Sequence, residues 1–203
     1  MATKYNPHIH HRRSIRLRSY DYSLTGGYFV TICTQHRECI LGKIQNRQVV
    51  LNNVGIMVKN IWNELPDKYP GIEIDQFTIM PNHIHGIIVI VGAGPRACPG
   101  ISDNMSSNPM QPSTKGQQQG VAPICISLPN IVHRFKSYTT ARYRNYVETF
   151  NWHPFQGRLW QRNYFERIIR NDDEMNRIRE YISNNPLSWE KDKNNPVNLL
   201  LTD

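Results

Sequence analysis

Two runs of apolar and β-branched residues, separated by a Pro-Asn pair, constrain the fold more than any other part of the sequence. The run IEIDQFTIM occupies 72–80, and HIHGIIVIV occupies 83–91, directly after Pro81 and Asn82. Residues of these types favour strands, and a turn-forming pair between two such runs indicates a tight connection. We therefore predict two neighbouring antiparallel strands here.

Another strand is predicted closer to the N-terminus. From Gly27 onward the run YFVTICT is β-branched and aromatic, and ECILGKI followed by QVVLN predicts a return strand or a hairpin. Apolar residues at helical spacing over 53–69 predict a helix that Pro70 stops. These segments together predict the order strand, strand, helix.

Two more helices are predicted in the second half of the chain. A basic helix begins near Pro129, and the short segment RLWQRNYFERIIRN leads to a final helix. In that helix Asn171 is followed three residues later by Glu174, as in a capping box, an apolar stripe follows, and Pro186 ends the helix. The order of elements predicts an α+β fold in which helices cover one face of an antiparallel sheet.

The length of 203 residues allows one domain with a substantial core and short appendages. We predict a basic N-terminal arm over 1–19, a domain over 20–190 and a C-terminal tail over 191–203. Residues 92–119 are rich in Gly, Pro, Ser, Asn and Gln, which predicts a disordered insertion within the domain.

The charge balance indicates a partner that carries phosphates. Lys and Arg outnumber Asp and Glu by 24 to 16, for a formal net charge of +8. The four cysteines form no CxxC pair and the N-terminus lacks a signal-peptide pattern, so we expect a reducing cytoplasm. No apolar stretch approaches the roughly 20 residues that cross a bilayer, and no membrane partner is expected.

The strand that begins at 83 carries a candidate metal site. Alternate side chains of a strand share a face, so His83 and His85 project together, while Ile84 points into the opposite layer. Two imidazoles at this spacing can bind one divalent ion, and Gly86 beside them would allow a ligand to approach the backbone. Two histidines can also simply decorate a sheet, and the second His-Ile-His, at 8–10, has no strand to fix its geometry.

The final helix carries a candidate nucleophile. Tyr181 and Asn185 are four residues apart and share one face of the helix, while Ile182 turns toward the core. A tyrosine that packs on the sheet and an asparagine that closes the helix would give the same pattern. Ten tyrosines compete for the role of nucleophile, and Tyr164, near several arginines, is the main rival.

Five motifs in order resemble the REP-associated tyrosine transposases, which are single-tyrosine transposases of the His-hydrophobic-His nuclease superfamily. They are TGGYFVTICT, MPNHIHGI, RFKS, LWQRNYFERIIR and REYISNNP. The resemblance covers about 12–189 apart from the insertion and implies a ferredoxin-like α+β fold with a central antiparallel sheet. It further implies that His83 and His85 are paired metal ligands, that Tyr181 rather than Tyr164 is the nucleophile, and that Asn185 is a third ligand.

The activity implied by this resemblance is that of a transposase and endonuclease. Such an enzyme nicks and rejoins single-stranded DNA at hairpin-associated, palindromic sites through a 5′-phosphotyrosine intermediate, with Mg²⁺ or Mn²⁺ as cofactor. A rolling-circle or mobilisation relaxase, a non-catalytic nucleic-acid-binding domain and a metal-dependent hydrolase stay open as alternatives. We expect a prokaryotic, nucleoid-associated protein of the cytoplasm, either a monomer or a homodimer.

Basic and aromatic side chains are expected to contact the DNA backbone or to stack on bases. They lie on the arm, on the basic helix and before the final helix: Arg12, Arg13, Arg16, Arg18, Arg134, Lys136, Trp160, Arg162, Tyr164, Arg167 and Arg170.

Overall fold

The computed structural model describes residue 17, residues 20–91 and residues 126–199. The predicted insertion over 92–119 lies outside the described residues, as do Arg12, Arg13, Arg16 and Arg18 of the basic arm. No helix in the described part of the chain is long and apolar enough to cross a membrane.

Six strands and five helices follow one another along the described chain, with short 3₁₀ segments at Gln35–Arg37 and Pro186–Lys191. In chain order they are β1 (Gly26–Cys33), β2 (Gly42–Gln45), β3 (Gln48–Leu51), α1 (Asn53–Asn63), α2 (Leu65–Lys68), β4 (Ile72–Ile79), β5 (His83–Ile90), α3 (Leu128–Phe150), β6 (Phe165–Ile169), α4 (Asp172–Asn184) and α5 (Pro196–Leu199).

The main sheet has four antiparallel strands in the order β4-β5-β1-β6, and β2 and β3 form a separate hairpin. The chain visits the main sheet as β1-α1-β4-β5-α3-β6, which is the split βαβ arrangement of ferredoxin-like folds. The α+β class predicted from the sequence is confirmed, as are the two adjacent strands joined at the Pro-Asn pair.

Helices lie on both faces of the sheet, so the expectation of helices on one face is wrong. On one face, β1 residues such as Val30 pack with α1 and α3, where the rings of Trp62 and Phe135 lie 5.0 Å apart. On the other face, Ile178 and Ile182 of α4 pack against the sheet. Because both faces carry apolar residues along β1 and β5, each face can bury a helix.

Two elements differ from the sequence prediction. The segment before the final helix contains an edge strand, β6, which pairs with β1 and which the sequence pattern did not reveal. The helix predicted over 53–69 is divided into α1 and α2, and α2 has Pro66 in its first turn. Proline has no backbone N–H to continue the preceding helix, which accounts for the division at Glu64.

Gly86 faces the hydrophobic core, which corrects the expectation that a ligand approaches the backbone there. A Cβ at Gly86 would lie 2.5 Å from Cζ2 of Trp62 and 3.3 Å from the Cβ of Phe77. The missing side chain therefore makes room for the Trp62 indole, on the sheet face opposite the two histidines.

Candidate active site

The two histidines lie side by side at the start of β5, as predicted. Both are buried, and their Nε2 atoms are 2.9 Å apart. Across the strand pair, His83 faces Cys33 and His85 faces Thr31 of β1. Ile84 points into the opposite core, so the alternation of the strand puts both imidazoles on the face that α4 covers.

Neighbouring side chains orient each imidazole. Asn82 donates from its amide nitrogen to the carbonyls of Arg37 and Asn194, which leaves its Oδ1 to accept from Nδ1 of His83 at 2.8 Å. Nε2 of His83 then carries the lone pair. Nδ1 of His85 lies 2.8 Å from the Thr31 hydroxyl, which can donate or accept. Partners of this kind fix the orientation of imidazoles that bind metals.

Burial keeps both imidazoles neutral. It lowers the pKa of His83 to about 3, and the positive charges of Arg37 and Lys193 add to the effect. Burial also lowers the pKa of His85 to about 3, with His83 as the next cause. Neutral imidazoles offer lone pairs, which is the form that binds metal ions.

Asp192 adds a carboxylate that the sequence analysis did not single out. Its Oδ2 lies 3.6 Å from Nε2 of His83, and the ligand atoms of Asp192, His83 and His85 all lie within 4.8 Å of one another. Because His83 is neutral, this contact is not an ion pair. Residue 192 falls in the segment predicted as a tail, and nothing in its local pattern signals that it meets β5.

Tyr181 and Asn185 of α4 reach the same place. The Tyr181 hydroxyl lies 3.3 Å from Nε2 of His85 and is also hydrogen-bonded to Asn185. Asn185 is 4% exposed, and its Oδ1 has no hydrogen-bond partner among the described residues. A buried carbonyl oxygen without a partner costs about 1–3 kcal/mol, which a bound cation or water would offset.

The donor atoms fit a divalent metal ion. They are two imidazole nitrogens and the oxygens of Asn185 and Asp192, a mixed set that suits first-row divalent ions. The Tyr181 phenol beside them holds its proton in the protein alone. Burial raises the pKa of Tyr181, and the Asp192 carboxylate raises it further, while the hydrogen bond from Asn185 acts in the opposite direction.

Strand β4, which pairs with the histidine strand β5, also holds α4, the helix that carries Tyr181. Arg179 of α4 forms two hydrogen bonds to the Asp75 carboxylate at 2.8 and 2.6 Å, and Gln76 donates to the Ser183 hydroxyl at 3.0 Å. Asp75 and Gln76 lie where the pairing of β4 with β5 is irregular. At the N-terminus of α4, Asn171 caps the helix by accepting from the Glu174 N–H, as the sequence predicts.

The two aromatic residues expected to stack on bases are buried, so that expectation is wrong. Trp160 is 4% exposed and donates from its indole nitrogen to Thr139 at 2.8 Å. Tyr164 is also buried in the core, with the Lys136 ammonium 5.3 Å from its ring centroid. Neither ring is accessible to a base. The exposed aromatic ring of this segment is Phe165.

The predicted DNA-contacting cations of the described chain fall into two groups. Some already have protein partners: Lys136 donates to the carbonyls of Gln161 and Asn163, Arg134 lies over the Tyr69 ring, and Arg167 pairs with Glu174. Arg162 and Arg170 are exposed. Arg162 lines a cleft of about 570 Å³, whose described lining includes His133, Arg144 and Arg158 and contains no carboxylate.

Comparisons with known proteins agree with this architecture. The family model described as transposase IS200 like matches residues 122–185, which include Tyr181 and Asn185. An uncharacterized protein from Haemophilus influenzae is 43% identical over 194 residues, which span 95% of this chain and 98% of that protein.

A solved structure of a REP-associated tyrosine transposase bound to a REP hairpin matches with a TM-score of 0.50 and 16% identity. The match covers 86% of this chain and 74% of that chain. At this identity it shows a shared fold. The resemblance predicted from the sequence motifs is supported over residues 122–185, which match the transposase IS200 like model, and the predicted fold is confirmed by the likeness to the tyrosine transposase structure.

Proposed function

We propose that this protein nicks and rejoins single-stranded DNA at hairpin-associated sites through a 5′-phosphotyrosine intermediate on Tyr181. The observation that carries the proposal is the approach of the Tyr181 hydroxyl to within 3.3 Å of Nε2 of His85, in the same chain. The proposed nucleophile Tyr181 and the candidate metal ligand His85 thus line one pocket of a single chain.

His83, His85, Asn185 and Asp192 would hold the divalent ion. When bound, the ion would withdraw charge from the non-bridging phosphate oxygens and orient the phosphorus for in-line displacement. We propose Mn²⁺ or Mg²⁺, and the two imidazoles favour Mn²⁺ because Mg²⁺ prefers oxygen ligands.

The residues of the chain position the nucleophile. Tyr181 is a residue of α4, which is fixed to β4 through Arg179 and capped at Asn171. Its phenolic oxygen forms a bond to phosphorus while the bond from phosphorus to the 3′ oxygen breaks. The phenol loses its proton, and the leaving 3′ oxygen gains one as a hydroxyl. The tyrosyl phosphodiester retains its reactivity, so another 3′-hydroxyl can reverse the step and join new ends.

A hairpin-bearing single strand is the proposed partner. The matched tyrosine transposase structure contains a REP hairpin, and the net charge of +8 favours binding to a phosphate backbone. The cleft lined by Arg144, Arg158 and Arg162 provides positive charge at a distance from the nucleophile. The basic arm over 1–19 remains a proposed contact to the hairpin stem.

The polarity of the covalent product tests this proposal. The protein is incubated with a hairpin oligonucleotide and Mn²⁺, with the label placed on either side of the cleavage site, and the products are separated under denaturing conditions. We expect a protein adduct that carries the label only from the 3′ side, together with a free 3′-hydroxyl fragment. Cleavage without an adduct would indicate hydrolysis, and binding without cleavage would indicate a non-catalytic domain. Either result contradicts the proposal.

A further inference from the structure

We propose that the pocket beside Tyr181 binds the base of a nucleotide adjoining the scissile phosphate, stacked on Phe165, with Lys193 contacting the DNA backbone. This inference rests on the proposed function and adds a subsite to it. The subsite would hold the strand in position for attack and would contribute to the choice of cleavage position.

The register of the sheet puts Phe165 on the same face as the histidines. Thr31 of β1 pairs with His85 on one side and with Phe165 on the other, so the three residues form a row across three strands. Paired residues of neighbouring strands project to the same face. Two inter-strand spacings of about 4.8 Å separate Phe165 from His85 by roughly 10 Å, a distance that one nucleotide can bridge.

The pocket has an aromatic wall. Its volume is about 510 Å³, within the usual range of ligand sites of about 300–1,000 Å³. The buried Phe29 ring makes edge contacts with Phe165 at 6.1 Å and with Tyr181 at 6.0 Å. Phe29 thereby holds two rings that are about half exposed, 48% for Phe165 and 46% for Tyr181. A half-exposed aromatic ring beside the nucleophile can accept a base.

The charges around this wall suit a phosphodiester. Lys193 and Arg177 line the pocket, and the Lys193 ammonium lies 5.7 Å from the Phe165 ring centroid. Glu174 is the one carboxylate among the described lining residues, and it is neutralised by an ion pair with Arg167. A cation next to an exposed ring is the combination that binds single strands, since the ring stacks on a base and the cation contacts phosphate.

Location distinguishes Phe165 from an ordinary surface phenylalanine. Single exposed apolar residues are common on protein surfaces and need no explanation. Phe150 at the end of α3 is such a residue, 66% exposed and outside the pocket. Phe165, in contrast, lines the same pocket as Tyr181 and His85, the proposed nucleophile and one candidate metal ligand.

The test measures binding of a single-stranded hairpin oligonucleotide to the full chain, with Tyr181→Phe present so that no cleavage occurs. We expect Phe165→Ala to weaken binding about 5- to 150-fold, the effect of losing one base stack, and Phe165→Trp to restore it. Phe150→Ala is the matched control and should bind normally. Lys193→Ala should reduce the slope of log K against the logarithm of the salt concentration by about one, whereas Lys191→Ala should leave this slope unchanged.

A walk of single abasic sites along the oligonucleotide identifies the stacked base. At one position next to the scissile phosphate, removing the base should abolish the difference in affinity between the protein that retains Phe165 and the Phe165→Ala variant. Additive effects at every position, or unchanged binding by the Phe165→Ala variant, would overturn the subsite. The proposed function fails separately, if the protein with Tyr181 intact forms no covalent adduct.

Discussion

The hydroxyl of Tyr181 lies 3.3 Å from Nε2 of His85, although 96 residues separate them along the chain. β5 supplies the histidine and α4 supplies the tyrosine, and the two meet because apolar residues of α4, Ile178 and Ile182, pack on the sheet face that carries the imidazoles. The contact is formed within one chain.

Thr31 is expected to support metal binding through His85. Thr31→Val keeps the shape of the side chain but removes the hydroxyl that lies 2.8 Å from Nδ1 of His85. Loss of such a partner lowers metal affinity about 10- to 100-fold, which calorimetric titration with Mn²⁺ would measure. Thr78, which pairs with His85 from β4, is the matched control, and Thr78→Val should bind Mn²⁺ as the unmodified protein does. Equal affinities for both variants would contradict the role of Thr31.

Asp192 is expected to be a metal ligand. Asp192→Asn preserves the size of the side chain but removes the negative charge beside the histidines. Loss of a residue that only supports a metal ligand lowers metal affinity at least about tenfold, and we expect Mn²⁺ affinity to fall by at least this factor when a ligand is changed. Asp172→Asn, in the exposed first turn of α4, should leave the affinity unchanged. If both variants bind Mn²⁺ equally well, Asp192 is not a ligand.

Gly86 is expected to matter for stability and not for chemistry. In Gly86→Ala the new methyl group would meet the Trp62 indole at 2.5 Å, and overpacking of this kind costs about 1–3 kcal/mol of unfolding free energy. Urea unfolding measures this cost. In a double-mutant cycle with Trp62→Phe, the smaller ring should reduce the penalty of the added methyl. An unchanged penalty would mean that Trp62 is not the obstacle.

The contact between Asp75 and Arg179 is expected to make a small, acid-sensitive contribution to stability. The hydrogen bonds from Arg179 hold the pKa of Asp75 below its usual value, although burial acts in the opposite direction. Because the pKa of Asp75 is lower in the folded protein than in the unfolded chain, the contact with Arg179 stabilises the protein at pH values above the unfolded pKa of about 3.9. This contribution is lost as the pH falls through the folded pKa. Both groups are partly exposed, so we expect less than about 1 kcal/mol.

Urea unfolding of the unmodified protein and of Asp75→Asn, from pH 7 to pH values below about 4, measures this effect. The difference in unfolding free energy should stay constant near neutrality and shrink at the acidic end. Glu73→Gln, an exposed change in the same strand, is the control. A difference that persists unchanged in acid would rule out the ion pair as its source.

Local patterns predicted most elements of the fold. Alternation in β5 predicted that His83 and His85 share a face, and the cap at Asn171 predicted the start of α4. β6 was missed because edge residues such as Glu166 and Arg167 break the apolar pattern of a strand. The side of the sheet on which α4 packs depends on long-range contacts, and no local pattern contains that information.

Sequence motifs predicted four residues of the candidate site: His83, His85, Tyr181 and Asn185. Asn82 lies within the histidine motif, yet its role depends on carbonyls of Arg37 and Asn194 that are distant in sequence. Asp192 belongs to an irregular segment, where no periodicity connects it to β5. Trp160 was expected to stack on DNA because aromatic residues near cations suggest stacking, but only the packed structure reveals that it is buried.

The most direct test of the central claim is to locate the covalent bond between protein and DNA. After reaction with a hairpin oligonucleotide and Mn²⁺, the adduct is digested with protease and nuclease, and the modified peptide is sequenced by mass spectrometry. We predict a nucleotide phosphate on Tyr181, no adduct in Tyr181→Phe, and an adduct at the usual rate in Tyr138→Phe, an exposed tyrosine outside the site. An adduct that persists in Tyr181→Phe, or that maps to Tyr164, would contradict the account.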